Sequence, residues 1–170
     1  QLLEEQDLPP ESREYVSALE HQAEKLRFLI DALVKTSRLE SGVLAMTPKR
    51  HGIQQLLDAA SAQAAPGAEA KAITLTVEPT DLTARFDPKW TAEALYNLVD
   101  NAVKYTPAGG AVTLRAVGYE LFCRVDVTDT GPGIPESEQA RIFQRFYRSP
   151  SASEAEGVGI GLYLARQIAA

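Results

Sequence analysis

Asp87–Thr106 reads DPKWTAEALYNLVDNAVKYT, and the fold turns on this stretch. Asp87 followed by Pro88 is a helix start: a carboxylate accepts from the orphan N–H groups of a first turn, and proline's fixed φ suits the first helical position. Trp90, Leu95, Leu98 and Val99 carry the apolar positions to about Lys104, and Thr106-Pro107-Ala108-Gly109-Gly110 ends the helix. Asn97 and Asn101 are one helical turn apart, so both amides project from one face. A hard cation such as Mg2+ takes oxygen ligands, mostly waters and phosphates with few protein groups. A neutral amide oxygen suits that task where phosphates already bring the negative charge. Lys104 can offer its ammonium to the same phosphates. For an isolated asparagine pair the alternative is a polar helix face meeting water.

Downstream, Ala111–Val117 and Leu121–Thr128 read as two strands joined by Gly118-Tyr119-Glu120, with Leu121, Cys123, Val125 and Val127 on one face of a hairpin. Upstream, Ile73, Leu75 and Val77 alternate with threonines as a half-buried strand. Ile53–Ala64 reads as a helix, Ala65-Pro66-Gly67 as punctuation after it, and Val43–Pro48 as a short strand, with His51 in the connection that follows. A last helix begins near Gly161 and carries Leu162, Leu164, Ala165 and Ile168. Strands and helices alternate around an antiparallel pair. The expected fold class is therefore α+β, a two-layer sandwich with a mixed, largely antiparallel sheet.

Residues 10–41 read as one long helix. Tyr15, Leu19, Gln22, Leu26, Leu29, Leu33 and Thr36 recur at alternating spacings of four and three, a heptad seam widened by Val16, Ala23 and Ile30. Gly42 sits where a helix C-terminal glycine belongs. Such a stripe needs a partner. Gln1–Asp7 reads as the tail of a preceding helix, and self-association would bury the remaining apolar surface.

Three further motifs carry chemistry. Asp129 ends a strand and runs into Gly131-Pro132-Gly133-Ile134. A carboxylate at a strand end can accept a hydrogen bond from an exocyclic amine such as that of adenine, and the glycines let backbone approach a flat base. An ordinary strand-terminating turn is the alternative. Gly157, Gly159 and Gly161 alternate ahead of an apolar helix, where bare amides at a helix N-terminus attract phosphate. The spacing is neither the Rossmann nor the Walker pattern. Between them, Arg141, Ile142, Phe143, Arg145, Phe146, Tyr147 and Arg148 combine aromatic anchors with arginines, as a lid over a triphosphate would. Arg148 is the arginine favoured to reach it. A short amphipathic helix with Phe143 and Phe146 plugged into the core is the alternative, and both can hold at once. Ser149–Glu156 reads as a polar loop.

Composition narrows the classes. The 170 residues carry 45% apolar side chains and a net charge of −6, enough for a core and wrong for a phosphate-coating nucleic-acid surface. The single cysteine, Cys123, excludes an intrachain disulfide. No stretch approaches the roughly 18–20 apolar residues of a membrane span. This fits a reducing, cytoplasmic setting, including the cytosolic part of a membrane protein. Neither His21 nor His51 has metal-ligand spacing or a nucleophile arrangement beside it.

The ordered set of motifs resembles the catalytic and ATP-binding domain of sensor histidine kinases, in the superfamily shared with gyrase, the Hsp90 chaperones and MutL. Asn97–Thr106 is similar to the family's N box, Asp129–Pro135 to its first glycine box, Ile142–Arg148 to its F box and Gly157–Leu162 to its second glycine box. The resemblance covers about residues 43–170. Residues 1–42, ending Ser37-Arg38-Leu39-Glu40-Ser41-Gly42, resemble part of the dimerisation and phosphotransfer hairpin, mainly its second helix. It implies a Bergerat-type ATP-binding fold, a four-helix bundle formed by two chains, ATP and Mg2+ as ligands, and a response regulator as protein partner. Any membrane attachment would belong to parts of the parent protein outside this chain. Asn101 is then the metal ligand, Asp129 the partner of the adenine amine and Tyr105 a flank of the base. Asn97, Lys104 and Arg148 assist at the metal or phosphates. Gly131, Gly133 and Ile134, with Gly157, Val158, Gly159, Ile160, Gly161 and Leu162, complete the nucleotide contacts.

Where the superfamily's ATPases carry a water-activating glutamate, this sequence has Asn97. An amide is a poor general base, so hydrolysis should be slow and the γ-phosphate kept for a protein acceptor. The family's acceptor, a His-Glu dipeptide on the first hairpin helix, is expected upstream of Gln1, and His21 has the wrong neighbours for it. The family also continues past the second glycine box into closing strands, so a domain truncated at Ala170 is expected. A serine kinase of the anti-sigma-factor type and a non-catalytic dimerising module with a vestigial pocket are the competing readings.

Overall fold

In the structure, a computed structural model, the helix opened by Asp87-Pro88 lies at the centre of an α/β layer. Residues 9–40, 46–149 and 158–169 are described. They form α1 (Pro10–Glu40), β1 (Lys49–Gly52), α2 (Ile53–Ala70), β2 (Thr74–Val77), β3 (Thr83–Phe86), α3 (Pro88–Tyr105), β4 (Ala111–Gly118), β5 (Cys123–Asp129), α4 (Glu136–Gln139) and α5 (Gly161–Ala169). The chain divides into two units, residues 1–44 and 45–170.

In the first unit, α1 leaves Tyr15, Leu19, Leu26, Ile30 and Leu33 exposed, Tyr15 to 74%, while Thr36 is buried. The expected glycine stop at Gly42 lies outside the described residues.

In the second unit, Asp87 caps α3 as expected: its Oδ1 accepts from Lys89 N–H (3.1 Å) and Trp90 N–H (3.2 Å). Its Oδ2 accepts from Thr47 N–H at 3.0 Å. These bonds, led by the one from Thr47, hold the Asp87 carboxyl below its ordinary range. The far end of α3 is finished differently. Ala102 O accepts from Thr106 N–H (3.0 Å) and Thr106 Oγ1 (2.6 Å), while Val103 O and Lys104 O accept from Lys71 Nζ at 2.9 and 2.8 Å. Orphan carbonyls at a helix end need such partners.

α2 and α3 pack on each other, and Ile53, Leu56, Leu57, Ala60, Leu95, Val99 and Val103 join Val112 and Leu114 of β4 in one buried cluster. Two sheets are present among the described residues. β1 and β3 pair antiparallel, Lys49 opposite Phe86. The other sheet has the order β2-β4-β5, with β2·β4 parallel and β4·β5 antiparallel. β2 and β4 are parallel neighbours because α3 forms the crossover between them. The mixed α+β layering is the expected class.

Four local readings need correction. Strand pairing begins at Lys49, beyond the Val43–Pro48 segment, so His51 is a strand residue opposite Ala84; residues 43–45 lie outside the described set. β3 was not legible at all. α2 runs through Ala65-Pro66-Gly67 to Ala70, because Ala64 and Ala68 continue its buried stripe. A missing N–H at Pro66 is outweighed there by packing and alanine propensity. In the hairpin, Cys123, Val125 and Val127 do pack on the core, but Leu121 falls in the turn and is 93% exposed. Tyr119 N–H donates to Phe122 O at 2.8 Å and closes that turn, so β5 begins at Cys123, two residues later than the alternation suggests.

Candidate functional site

The site is built outward from α3. Asn97 Nδ2 donates to Glu93 O (2.9 Å) and Asn101 Nδ2 to Asn97 O (2.8 Å). Committing each NH2 to a carbonyl one turn back decides which amide atom is the oxygen and turns both Oδ1 atoms away from the helix backbone. Two acceptor oxygens on one half-buried face, with Lys104 and Tyr105 on the next turn, suit a hard cation carrying phosphates. Lys104 Nζ lies 5.7 Å from the Tyr105 ring centroid.

Contacts at glycine bring the other motifs to this helix. A Cβ on Gly161 would stand 2.9 Å from Asn97 Oδ1, so the start of α5 meets the N-box face only because that residue has no side chain. A Cβ on Gly131 would lie 2.7 Å from Asp129 Oδ1 and 3.1 Å from Tyr105 O, which sets the first glycine box against the end of α3. Asp129 Oδ1 accepts from Gly131 N–H at 2.8 Å; this turn fixes the exposed carboxylate at the end of β5. Thr130 secures the same corner, with its N–H on Ala111 O (3.1 Å) and its Oγ1 accepting from Ala111 N–H (3.0 Å).

The aromatic-basic segment joins the second glycine box by backbone: Phe146 N–H donates to Gly159 O at 2.9 Å. Gly159 takes φ +73°, and a Cβ there would collide with Tyr147 O at 2.5 Å. Side chains add to the junction. Arg145 stacks on the Tyr163 ring at 4.8 Å and bonds its hydroxyl at 3.1 Å, Arg141 covers Tyr147 at 4.6 Å, and Arg166 lies 6.0 Å from the Phe143 ring centroid. The alternative, a short amphipathic helix with two plugged phenylalanines, is not what forms. α4 spans only Glu136–Gln139, turns follow, and Phe146 is 51% exposed with φ +59°, a strained setting for a bulky side chain.

Of the expected site residues, Gly161 thus meets Asn97 and Gly131 meets Tyr105, while Gly159 meets the aromatic-basic segment at Phe146 and Tyr147; Asn101 and Lys104 lie on α3 with Asn97 and Tyr105, and Asp129 ends β5. Gly133 takes φ +73°, Ile134 is exposed, and Arg148 is exposed at the end of the turns. Val158 and Leu162 are half-buried on either side of Ile160. Ile160 itself is buried. Gly157 lies outside the described residues. Three supporting residues escaped the sequence: Lys71, Thr130 and Tyr163. Their partners lie 32, 19 and 18 positions away, beyond any local pattern. His51 packs against Phe86, with ring centroids 5.4 Å apart, and stands away from these motifs in the β1·β3 pair. Among the described residues no group of three or more His, Cys, Asp or Glu side chains could hold a metal, and no helix is long and apolar enough to cross a membrane.

An α/β layer whose central helix presents paired amides, bordered by two glycine turns and an arginine-bearing arm, defines a nucleotide-site class of protein. Residues 86–170 match the family described as histidine kinase-, DNA gyrase B-, and HSP90-like ATPase, and the chain belongs to that family. Its relatives are sensor histidine kinases. The sensor protein CreC of Escherichia coli K12 is 34% identical over 151 residues, covering 87% of this chain and 31% of CreC. The adaptive-response sensory kinase SasA of a Synechococcus strain is 35% identical over 150 residues, covering 86% of this chain and 40% of SasA. The structure of full-length ShkA in complex with AMPPNP superposes with a TM-score of 0.81 at 30% identity, covering 98% of this chain and 35% of that one. The chain therefore spans about a third of the length of the relatives it matches.

Proposed function

We propose that this chain is the ATP-binding, phosphoryl-donating part of a sensor histidine kinase in a two-component system. The observation that carries the reading is the pair of amide oxygens of Asn97 and Asn101, turned outward from α3 at the point where Gly161 closes on Asn97. The nucleotide complex of ShkA supports ATP as the ligand class. Mg2+ fits the donor set, since one or two neutral oxygens are what such a cation takes beside phosphates.

Bound ATP-Mg2+ would supply an electrophilic γ-phosphoryl group; the protein's part is positioning and charge neutralisation. In this reading Asn101 holds the metal, with Asn97 beside it. Asn97 carries no basic group, so it does not activate water. Lys104 and Arg148 offset charge at the phosphates. Asp129, oriented by Gly131 N–H, takes the adenine amine, and Tyr105 flanks the base. Gly131, Gly133 and Ile134 line the base side, and the backbone from Gly157 to Leu162 the phosphate side. The acceptor is a histidine on a dimerisation hairpin, and the phosphoryl group passes onward to a response regulator. The exposed seam of Tyr15, Leu19, Leu26 and Leu33 supports α1 as a homodimer element, because unpaired heptad stripes bury their apolar surface by association. The setting is the cytosolic side of a sensor.

The test mixes the chain with ATP, Mg2+ and a protein bearing the acceptor hairpin, and expects acid-labile phosphohistidine. ATP binding with no phosphoryl transfer to any such acceptor removes the kinase reading. Light scattering tests the seam: Leu26→Asp with Leu33→Asp should convert a dimer to a monomer.

A further inference from the structure

We infer that Lys71 is a positioning residue of the nucleotide site, acting through the C-terminus of α3, where its ammonium cancels the helix's negative end beneath Lys104 and Tyr105. The inference rests on the nucleotide reading above.

Lys71 is the residue on which α2 ends. Its own N–H bonds Ala68 O (3.2 Å), and Ala72 follows at φ +51°, with Ala72 N–H on Glu69 O (3.0 Å) and Ile73 N–H on Ala68 O (2.8 Å). This reversal anchors the Lys71 backbone, and Gly109 N–H bonds Lys71 O at 3.0 Å, linking it to the loop after α3. From that anchor Nζ reaches two consecutive carbonyls of α3, Val103 O and Lys104 O. A partly buried ammonium with two charge-assisted bonds to carbonyls is a fixed cation.

Its place matters electrically. The last carbonyls of an α-helix carry about half a negative elementary charge. Here those carbonyls belong to the turn that bears Lys104 and Tyr105 and that abuts Gly131 through Tyr105 O. Side chains on a helix lean toward its N-terminus, so Lys104 leans back toward Asn101 and the proposed phosphates. Without Lys71, the triphosphate would meet a bare negative helix end close behind Lys104. The interaction is therefore graded by ligand charge, which a purely structural role is not.

Calorimetry on the 170-residue chain with Mg2+ compares AMPPNP, ADP and adenosine. For Lys71→Met the expected result is AMPPNP binding weakened about fivefold or more, ADP less and adenosine within about twofold, with the AMPPNP deficit shrinking as salt rises. Lys71→Arg should restore affinity, since a guanidinium also bonds two carbonyls while keeping the charge. Lys71→Gln, which can still donate a hydrogen bond, should show the same graded deficit, and it decides the question if the methionine variant does not fold. Equal weakening of all three ligands, or none, overturns the inference while the nucleotide reading stands. Absence of binding by the unmodified chain overturns both.

Discussion

The two walls of the candidate site are held by different forces. On one side, α3 and β5 carry Asn97, Asn101, Tyr105 and Asp129. There Leu95, Val99, Ala102 and Val103 are buried, Asp87 caps one helix end, and Lys71 and Thr106 satisfy the other. On the other side, residues 136–149 hold no buried residue, and their ties to α5 and its glycine turn include a backbone bond, the Arg145–Tyr163 hydroxyl bond and contacts between arginines and aromatic rings. The proposed metal and base contacts demand fixed geometry, and the residues assigned to them in that proposal lie on the wall with the core behind it. A segment with few buried apolar groups opens at low free energy, and the arginines that would meet a departing phosphate lie there. Within residues 45–170, burial is thus concentrated behind α3 and is missing from residues 136–149.

The largest expected effect breaks the firm wall from behind. Leu57 is fully buried between α2 and α3, and Leu57→Ala should destabilise residues 45–170 by about 3 kcal/mol in urea unfolding. Removing Phe146, half-exposed and strained on the other wall, should do far less: Phe146→Gly is expected within about 0.5 kcal/mol of the parent, because glycine relieves the positive φ. Equal losses at the two sites would erase the contrast. Next comes chemistry without packing. Asn101→Ala should leave the melt nearly unchanged but weaken Mg2+-dependent AMPPNP binding about 100-fold, read by calorimetry with and without the metal. A loss independent of Mg2+ would move the metal off Asn101.

The same contrast explains what the sequence disclosed. Asp87-Pro88, the asparagine pair and the alternation from Cys123 to Val127 are local signals, and the structure realises them at the expected positions. The glycines were legible as types; what each one admits became clear only from its neighbours, Tyr105 for Gly131 and Asn97 for Gly161. Pro66 misled because a stop signal read alone omits the buried stripe of Ala60, Ala64 and Ala68. β3 has a short, mixed pattern, Thr83-Ala84-Arg85-Phe86, and its pairing with β1 is a tertiary fact. Lys71 was unreadable for the same reason: nothing near it in sequence announces that a helix 32 residues on needs a cation. Distance in the chain, more than residue type, set the limit.

A smaller effect sharpens the comparison at the start of α3. Asp87→Ala removes the N-cap and should cost about 1 kcal/mol. The folded carboxyl is lowered from its ordinary value, chiefly by the bond from Thr47 N–H. The sign follows: the cap's contribution is complete above the unfolded carboxyl pKa of about 3.9 and is lost as pH falls through the lower folded value. The parent and Asp87→Ala should therefore differ most at neutral pH and converge in acid. A gap that widened on acidification would mean the carboxylate is not the capping species.

The smallest effect belongs to the soft wall. Arg145 meets Tyr163 through both a ring face and a hydroxyl. At an exposed site such a cation–aromatic pair is worth about 0.5–1 kcal/mol. Both side chains also have other neighbours, so single substitutions mix several losses. A double-mutant cycle of Arg145→Ala and Tyr163→Ala isolates the pair, and the expected coupling is about 0.5 kcal/mol. Tyr163→Phe should keep the stacked part and lose the hydrogen bond. A coupling of about 2 kcal/mol or more would mean that the arm is locked to α5 as firmly as Asn101 is to α3, and the distinction between the two walls would fail.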